Sequence, residues 1–317
     1  MLSTLEILLP VFGLIFAGFV CRKRGLLGPT AASELNRFVV WLALPALLFD
    51  IMAHATWHQL YQPAFVATFA LSCAIVFVLI LAARLLSGRP LADASVDAIA
   101  GSYPNTGCIG FPLCLIAFGP ASLTPTTIAT ILVACVLFAI AIVLIEVGLQ
   151  TERAPHRLAF KVVRSLARNP LIVSPIVGVL VASLHVTLPQ GAETFLKLLG
   201  GAASPCALVS LGLFLAEKPT STATPSAASH GASLALTGTK LLLQPALTWW
   251  LAARVFALSP MLVEMSVVLA ALPTGTGPFM LAEFYRREAH ITSRTILLST
   301  LGSLVTLSLL LLYMPRS

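Results

Sequence analysis

Apolar segments of about twenty residues follow one another along almost the whole chain, and most charged residues are confined to the short joints between them. A chain of this kind has few ways to fold. Lipid leaves every backbone N–H and C=O to be satisfied by the chain itself, so helices and closed barrels are the spanning structures open to it. Long apolar runs without strict alternation read as helices. Composition agrees, with 58% of the 317 residues hydrophobic and only 10% charged, against about 25% charged in soluble domains. Ten spans are predicted, at 4–21, 37–54, 63–86, 94–118, 125–149, 170–188, 193–216, 232–257, 261–284 and 291–314. In the first, the basic cluster follows the apolar run Leu5–Cys21 instead of preceding it, so this run reads as a retained span and not as a leader.

The basic residues sort by side. With the loop after the first span placed inside, Arg22, Lys23, Arg24, Arg37, Arg84 and Arg89 all fall inside. So do Arg153, Arg157, Lys161, Arg164, Arg168, Lys218, Arg286, Arg287 and Arg294, whereas Lys197, Arg254 and Arg316 fall outside and Lys240 lies within a span. Both termini then face outward. This bias accounts for the net charge of +7 without a nucleic-acid partner. Residues 150–168 form a basic linker between a first repeat, 1–149, and a second, 169–317, each of five spans. The segment 151–167 reads either as an amphipathic helix on the inner membrane surface or as a solvated linker. Residues 219–230, rich in Thr, Ser, Ala and Pro, read as a flexible inside loop.

The two repeats share punctuation. Pro10-Val-Phe-Gly13 matches Pro175-Ile-Val-Gly178, Pro45 matches Pro205, and Pro104 matches Pro273, at offsets of roughly 160–170 residues. Because five is odd, two such repeats run through the membrane in opposite directions. The fold expected is all-α and integral to the membrane, ten helices in two inverted repeats.

Spans four and nine are each interrupted. The first break reads Ser102-Tyr-Pro-Asn-Thr-Gly-Cys-Ile-Gly-Phe-Pro-Leu113, bracketed by Pro104 and Pro112, and the second reads Leu272-Pro-Thr-Gly-Thr-Gly-Pro-Phe-Met280, bracketed by Pro273 and Pro278. Irregular backbone at membrane depth survives only where protein buries it or where it lines a cavity. A matched pair of interrupted spans is the best sequence pointer to a carrier's binding site. Each break exposes half-helix ends, positive at the N-terminus and negative at the C-terminus. Asn105, Thr106, Gly107, Gly110, Thr274, Gly275, Thr276 and Gly277 are therefore the candidate substrate residues, the glycines letting a ligand approach backbone amides.

A charge at mid-bilayer is a functional candidate by default. Asp50, beyond Pro45 in span two, and Lys240 in span eight lie deepest, as a proton site or charge partner; structural pairing and snorkelling are the alternatives. Glu6, Glu146, Glu264, Glu283 and Asp97 lie nearer span ends. His54 and His58 stand one helical turn apart without a third ligand nearby, and the six cysteines form no CxxC pair, so neither metal nor cofactor is called for. Hydrolase, metalloprotease and phosphate-loop motifs do not occur, which argues against an enzyme.

Leu42-Ala-Leu-Pro-Ala-Leu-Leu-Phe49, Asn105-Thr-Gly-Cys-Ile-Gly-Phe-Pro-Leu113 and Leu272-Pro-Thr-Gly-Thr-Gly-Pro-Phe-Met-Leu-Ala282 resemble the auxin efflux carrier family over essentially the whole chain. That family includes plant PIN-type exporters and bacterial malonate permeases. The resemblance implies a fold similar to bile acid/sodium symporters, in which broken helices four and nine cross at the substrate site and a transport part moves against a scaffold like an elevator. It also implies an asparagine in each break. Asn105 supplies the first, but Gly277 stands where the second is expected, and the long hydrophilic central loop of the large exporters is absent. The expectation is a secondary transporter of small carboxylates in a bacterial inner membrane, with both termini periplasmic. Its alternatives are a sodium-coupled symporter of bile-acid type and a non-transporting membrane sensor. Partners expected are the organic anion, lipid, and a coupling proton or sodium ion; a homodimer is compatible with the sequence.

Overall fold

A computed structural model describes residues 2–54, 61–150, 155–216 and 227–313, and these are helical apart from short turns and two breaks. In chain order the helices are α1 (Leu2–Lys23), α2 (Ala31–Ala53), α3 (Pro63–Leu86), α4 (Leu91–Ala100), α5 (Phe111–Phe118) and α6 (123–149). There follow α7 (Pro155–Leu166), α8 (Pro170–Ser183), α9 (Gln190–Ala216), α10 (227–255), α11 (Pro260–Ala271), α12 (Gly277–Phe284) and α13 (Ala289–Tyr313). By length and composition, five helical stretches among the described residues can cross a membrane: α2, α3, Leu113–Leu149, α9 and α13. The basic linker contains a helix, α7, which carries the exposed Phe160 and Val163 beside Lys161 and Arg164, and α8 departs from it at 71°. The loop read at 219–230 lies largely outside the described residues.

Proline shapes these helices by widening them as well as by breaking them. A π turn at Val39–Ala43 ends two residues before Pro45, and another at Thr239–Leu243 ends two residues before Pro245. A proline ring collides with the carbonyl four residues back. Adding one residue to the preceding turn moves that carbonyl aside, and the amides of Leu44 and Gln244 accordingly reach back five residues, to Val39 and Thr239. Pro45 thus follows a bulge within a continuous helix. Pro112 stands at the same interval after a π turn at Thr106–Gly110.

The helices form two packed groups. In one, α1 lies along the second half of α9, and α2 packs on α8 and α9. These contacts are backbone-close: a Cβ on Gly18 would stand 2.2 Å from the Val209 oxygen, and one on Gly212 would stand 2.0 Å from the Ile15 oxygen. Small residues allow such approach where lipid supplies no hydrophobic force between helices. The second group comprises α3, α4, α6, α10, α11, α12 and α13. Ion pairs knit its edge, with Arg287 Nε donating to Asp93 at 2.7 Å, Arg84 Nε to Asp97 at 2.7 Å and Arg89 Nη1 to Glu288 at 2.9 Å.

Candidate functional site

Both interrupted spans stop and restart, one leaving α4 at Ala100 and the other leaving α11 at Ala271. The two freed segments satisfy each other. Asn105 N–H donates to the Pro273 oxygen at 2.9 Å, and Gly275 N–H donates to the Tyr103 oxygen at 3.0 Å, making one antiparallel bridge between Pro104 and Thr274. In lipid, where an orphan amide costs several kcal/mol, this exchange lets both helices break at the same place.

Beyond the bridge each chain enters a new half-helix. The Asn105 oxygen accepts from Ile109 and Gly110 at 3.1 and 3.2 Å, and the Thr276 oxygen accepts from Met280 at 3.1 Å. These N-terminal turns open on a cavity of about 320 Å³ between the two helix groups. The crossing contributes Tyr103, Pro104, Asn105, Thr106, Gly107, Thr276 and Gly277; the opposite wall is Leu44, Leu47, Leu48 and Ile51 of α2 with Gly200, Gly201, Ala203 and Ser204 of α9. Thr130 and Ala134 of α6, Phe111 and Met280 complete it. No charged side chain is among these lining residues. First-turn amides lack intrahelical acceptors, and helix N-termini carry partial positive charge. The cavity is therefore suited to a small anion with an apolar body, held by amides, an amide side chain and hydroxyls.

Three of the sequence candidates lie behind this wall. Thr274 is 1% exposed, and it gives its hydroxyl to the Ala100 oxygen at 2.9 Å while its amide donates to Ser299 Oγ at 3.0 Å. Gly275 backs onto the Tyr103 ring, and Gly110 onto Leu269 and Leu272. Their contribution is to let the crossing close. Pro273 and Pro278 are buried beside them.

Tyr103 is the residue that sequence reasoning passed over. Its ring stacks at a tilt on Phe138, with centroids 5.8 Å apart. A Cβ on Gly277 would lie 2.9 Å from Phe138 and 3.0 Å from Tyr103. The site thus has an aromatic ring where a longer residue at position 277 would project. A tyrosine next to a break proline was the available signal.

Asp50 and Lys240 are not brought together. Asp50, on α2, pairs with His54 Nδ1 at 3.2 Å, and His54 Nε2 lies 3.8 Å from Glu193, which Lys197 approaches to 3.4 Å. Lys240 is fully buried in the other helix group and donates to the Ala270 oxygen at 2.6 Å. Neither lines the cavity. Asp97 is more deeply buried than its place near a span end suggested, at 1% exposure, because Arg84 and Arg89 close over it. Glu146 accepts from Tyr285 Oη at 2.7 Å, and Asn169 Nδ2 donates to that same Oη at 3.1 Å, joining α8 to the crossing group. His58 lies outside the described residues.

Membrane-spanning helices, two of them broken and crossing beside a cavity, define a membrane transporter. The kind follows from relatives. The chain belongs to the Membrane transport protein family, that of the auxin efflux carriers, whose sequence profile matches residues 3–311. It is 32% identical over 312 residues to a protein named "Putative malonate transporter" from Rhizobium meliloti (strain 1021), covering 98% of this chain and 95% of that one. It is 33% identical over 154 residues to auxin efflux carrier component 3a of Oryza sativa, covering 47% of this chain and 24% of the plant protein. Auxin efflux carrier component 8 of Arabidopsis thaliana is 22% identical over 349 aligned positions, covering 94% of this chain and 93% of its own.

Proposed function

We propose that this chain is a secondary transporter of small organic anions, carboxylates of the malonate or auxin-like kind, across a bacterial inner membrane. The observation that carries the reading is the uncharged cavity at the crossing, where two half-helix N-termini, Asn105 and Thr276 meet an apolar wall. The name of the Rhizobium relative points to the same substrate class. A carboxylate takes hydrogen bonds from the first-turn amides at Gly107 and around Thr276–Gly277, and Asn105 fixes its orientation.

The working cycle is an elevator. The crossing group carries the anion past the α1, α2, α8 and α9 group, whose smooth face of Leu, Gly and Ala residues offers few polar contacts to break. Ten spans in two inverted repeats, joined by the basic linker and with both termini periplasmic, supply the opposed symmetry that such a cycle uses.

Asn105→Ala tests the site. Malonate raises the melting temperature of the purified wild-type protein by mass action, and the variant keeps its fold but loses that rise and loses malonate counterflow in proteoliposomes. Unaltered stabilisation and counterflow in the variant refute the site. Counterflow in the wild type separates transport from binding without translocation.

A further inference from the structure

Glu264 stands one turn into α11. Unlike Asp93, Asp97 and Glu146 of the same helix group, it has no hydrogen-bond or ion-pair partner among the described residues. It is partly buried, and it lines a groove of about 440 Å³ between α10, α11 and α13. An unpaired carboxylate beside lipid is costly. Two exposed aromatic residues, Trp249 of α10 and Tyr313 of α13, line the same groove. Tryptophan and tyrosine collect where bilayer meets water, so the mouth of the groove lies at head-group level.

Arg254, exposed near the end of α10, sets its guanidinium 6.0 Å from the centroid of the Trp249 ring. The mouth therefore carries one negative and one positive charge. Inward from it the lining is apolar: Val267 lies one turn, about 4.5 Å, beyond Glu264, with Val263 and Leu310 beside it. An occupant that answers all of this has a cation for Glu264, an anion for Arg254 and a hydrocarbon chain. A metal ion needs several oxygens beyond one carboxylate, and the described residues hold no cluster of three or more potential ligands. A purely anionic head group leaves Glu264 unpaired. A quaternary ammonium has no N–H to give the carboxylate, and the Trp249 ring that would attract it already carries Arg254.

We propose that this groove is a lipid site whose occupant is a phospholipid with a primary-amine head group, a phosphatidylethanolamine. The ammonium donates to Glu264, the phosphate meets Arg254, and an acyl chain lies over Val263, Val267 and Leu310. The groove shares no lining residue with the cavity at the crossing. The lipid thus ties together the ends of α10, α11 and α13 without touching the transported anion.

The experiment adds phosphatidylethanolamine, phosphatidylcholine or phosphatidylglycerol with the same acyl chains to the purified protein in mixed micelles. It reads melting temperature, and retained lipid by native mass spectrometry. Phosphatidylethanolamine is expected to raise the melting temperature most and to be retained about tenfold more than phosphatidylcholine, the scale of one charge-assisted hydrogen bond. Glu264→Gln, nearly the same shape, loses that preference, and Arg254→Gln retains less phosphatidylethanolamine than wild type. Equal effects of the three lipids on wild type, a preference for phosphatidylglycerol, or a preference for phosphatidylethanolamine that survives Glu264→Gln each overturns the proposal. So does a concentration-dependent dimer that Glu264→Gln dissociates, which gives the groove to a second copy of the chain. The wild-type lipid series can refute the site by itself, so a variant that fails to fold does not shelter it.

Discussion

Replacing Gly277 by alanine tests how the crossing is packed. The added Cβ stands 2.9 Å from Phe138 Cε2 and 3.0 Å from Tyr103 Cζ, where ordinary contact begins at 3.4 Å. Both rings have to give by about 0.4–0.5 Å, and overpacking of this order costs ~1–3 kcal/mol. Neither ring has slack: Phe138 is 3% exposed, and the Tyr103 ring is held from another side by the Gly275 backbone. At about 2–4 °C per kcal/mol for a chain of a few hundred residues, the melting temperature of the purified protein falls by several degrees. Phe138→Leu removes one of the two obstructing rings and by itself costs a cavity of ~1–3 kcal/mol. In the double variant the Cβ occupies that space. The two losses therefore do not add, and the coupling recovered is about 1 kcal/mol or more. Malonate-induced stabilisation follows the same pattern, reduced in Gly277→Ala where Tyr103 is pushed toward the cavity, and partly restored in the double variant. Strictly additive melting shifts refute this account of Tyr103, Phe138 and Gly277 as one packed unit.

The remaining predictions use the same melting assay. Gly212→Ala sets a Cβ 2.0 Å from the Ile15 backbone oxygen, which no side-chain motion relieves, so it costs about 3 kcal/mol or more and lowers the yield of monodisperse protein. Gly238→Ala, at helical φ −61° with nothing within 4 Å of the new Cβ, raises stability by ~0.4–1 kcal/mol. Tyr285→Phe removes the oxygen shared by Glu146 and Asn169 and costs ~1–3 kcal/mol as buried polar groups lose a partner. Because Asn169 caps α8 in the opposite helix group, it also changes malonate counterflow rate more than malonate-induced stabilisation.

Much of this architecture was legible in the chain. The paired breaks were marked by proline and glycine, because those residues remove a donor or relax the backbone wherever they stand. Asn105 and Thr276 were legible as cavity groups for a related reason: each precedes a glycine or the first turn of a half-helix. What one sequence does not encode locally is the partner across the crossing. Nothing in Thr274 distinguishes a hydroxyl that faces substrate from one that caps Ala100. Depth along a span was a poor guide to environment as well. Asp97, near a span end, is enclosed by two arginines from the preceding helix and loop, whereas Asp50, placed deeper, pairs with His54, which in turn lies near Glu193 in the first turn of α9. The Tyr103 ring beside Gly277 depends on a contact between residues far apart in the chain.

The two kinds of half-helix end are treated in opposite ways, and on the proposed reading that difference is functional. The N-terminal ends look into the cavity, with amides left for a ligand, and the C-terminal ends look into the bundle, where Lys240, Gln244 and Thr274 have taken their oxygens. A lysine inside the cavity attracts a carboxylate more strongly, but breaking a buried ion pair costs ~3–5 kcal/mol, and that cost falls on release. Half-helix ends act as partial charges, with interactions of up to ~2 kcal/mol in partly buried geometry. They suffice to collect an anion from water and allow it to leave on the other side. Bonding the carbonyl ends from within the bundle keeps the crossing intact without adding to the hold on the substrate. A lysine moved into the cavity wall, as in Ser204→Lys, is then expected to strengthen malonate-induced stabilisation while slowing counterflow. Faster counterflow in that variant shows that release is not what an uncharged cavity protects.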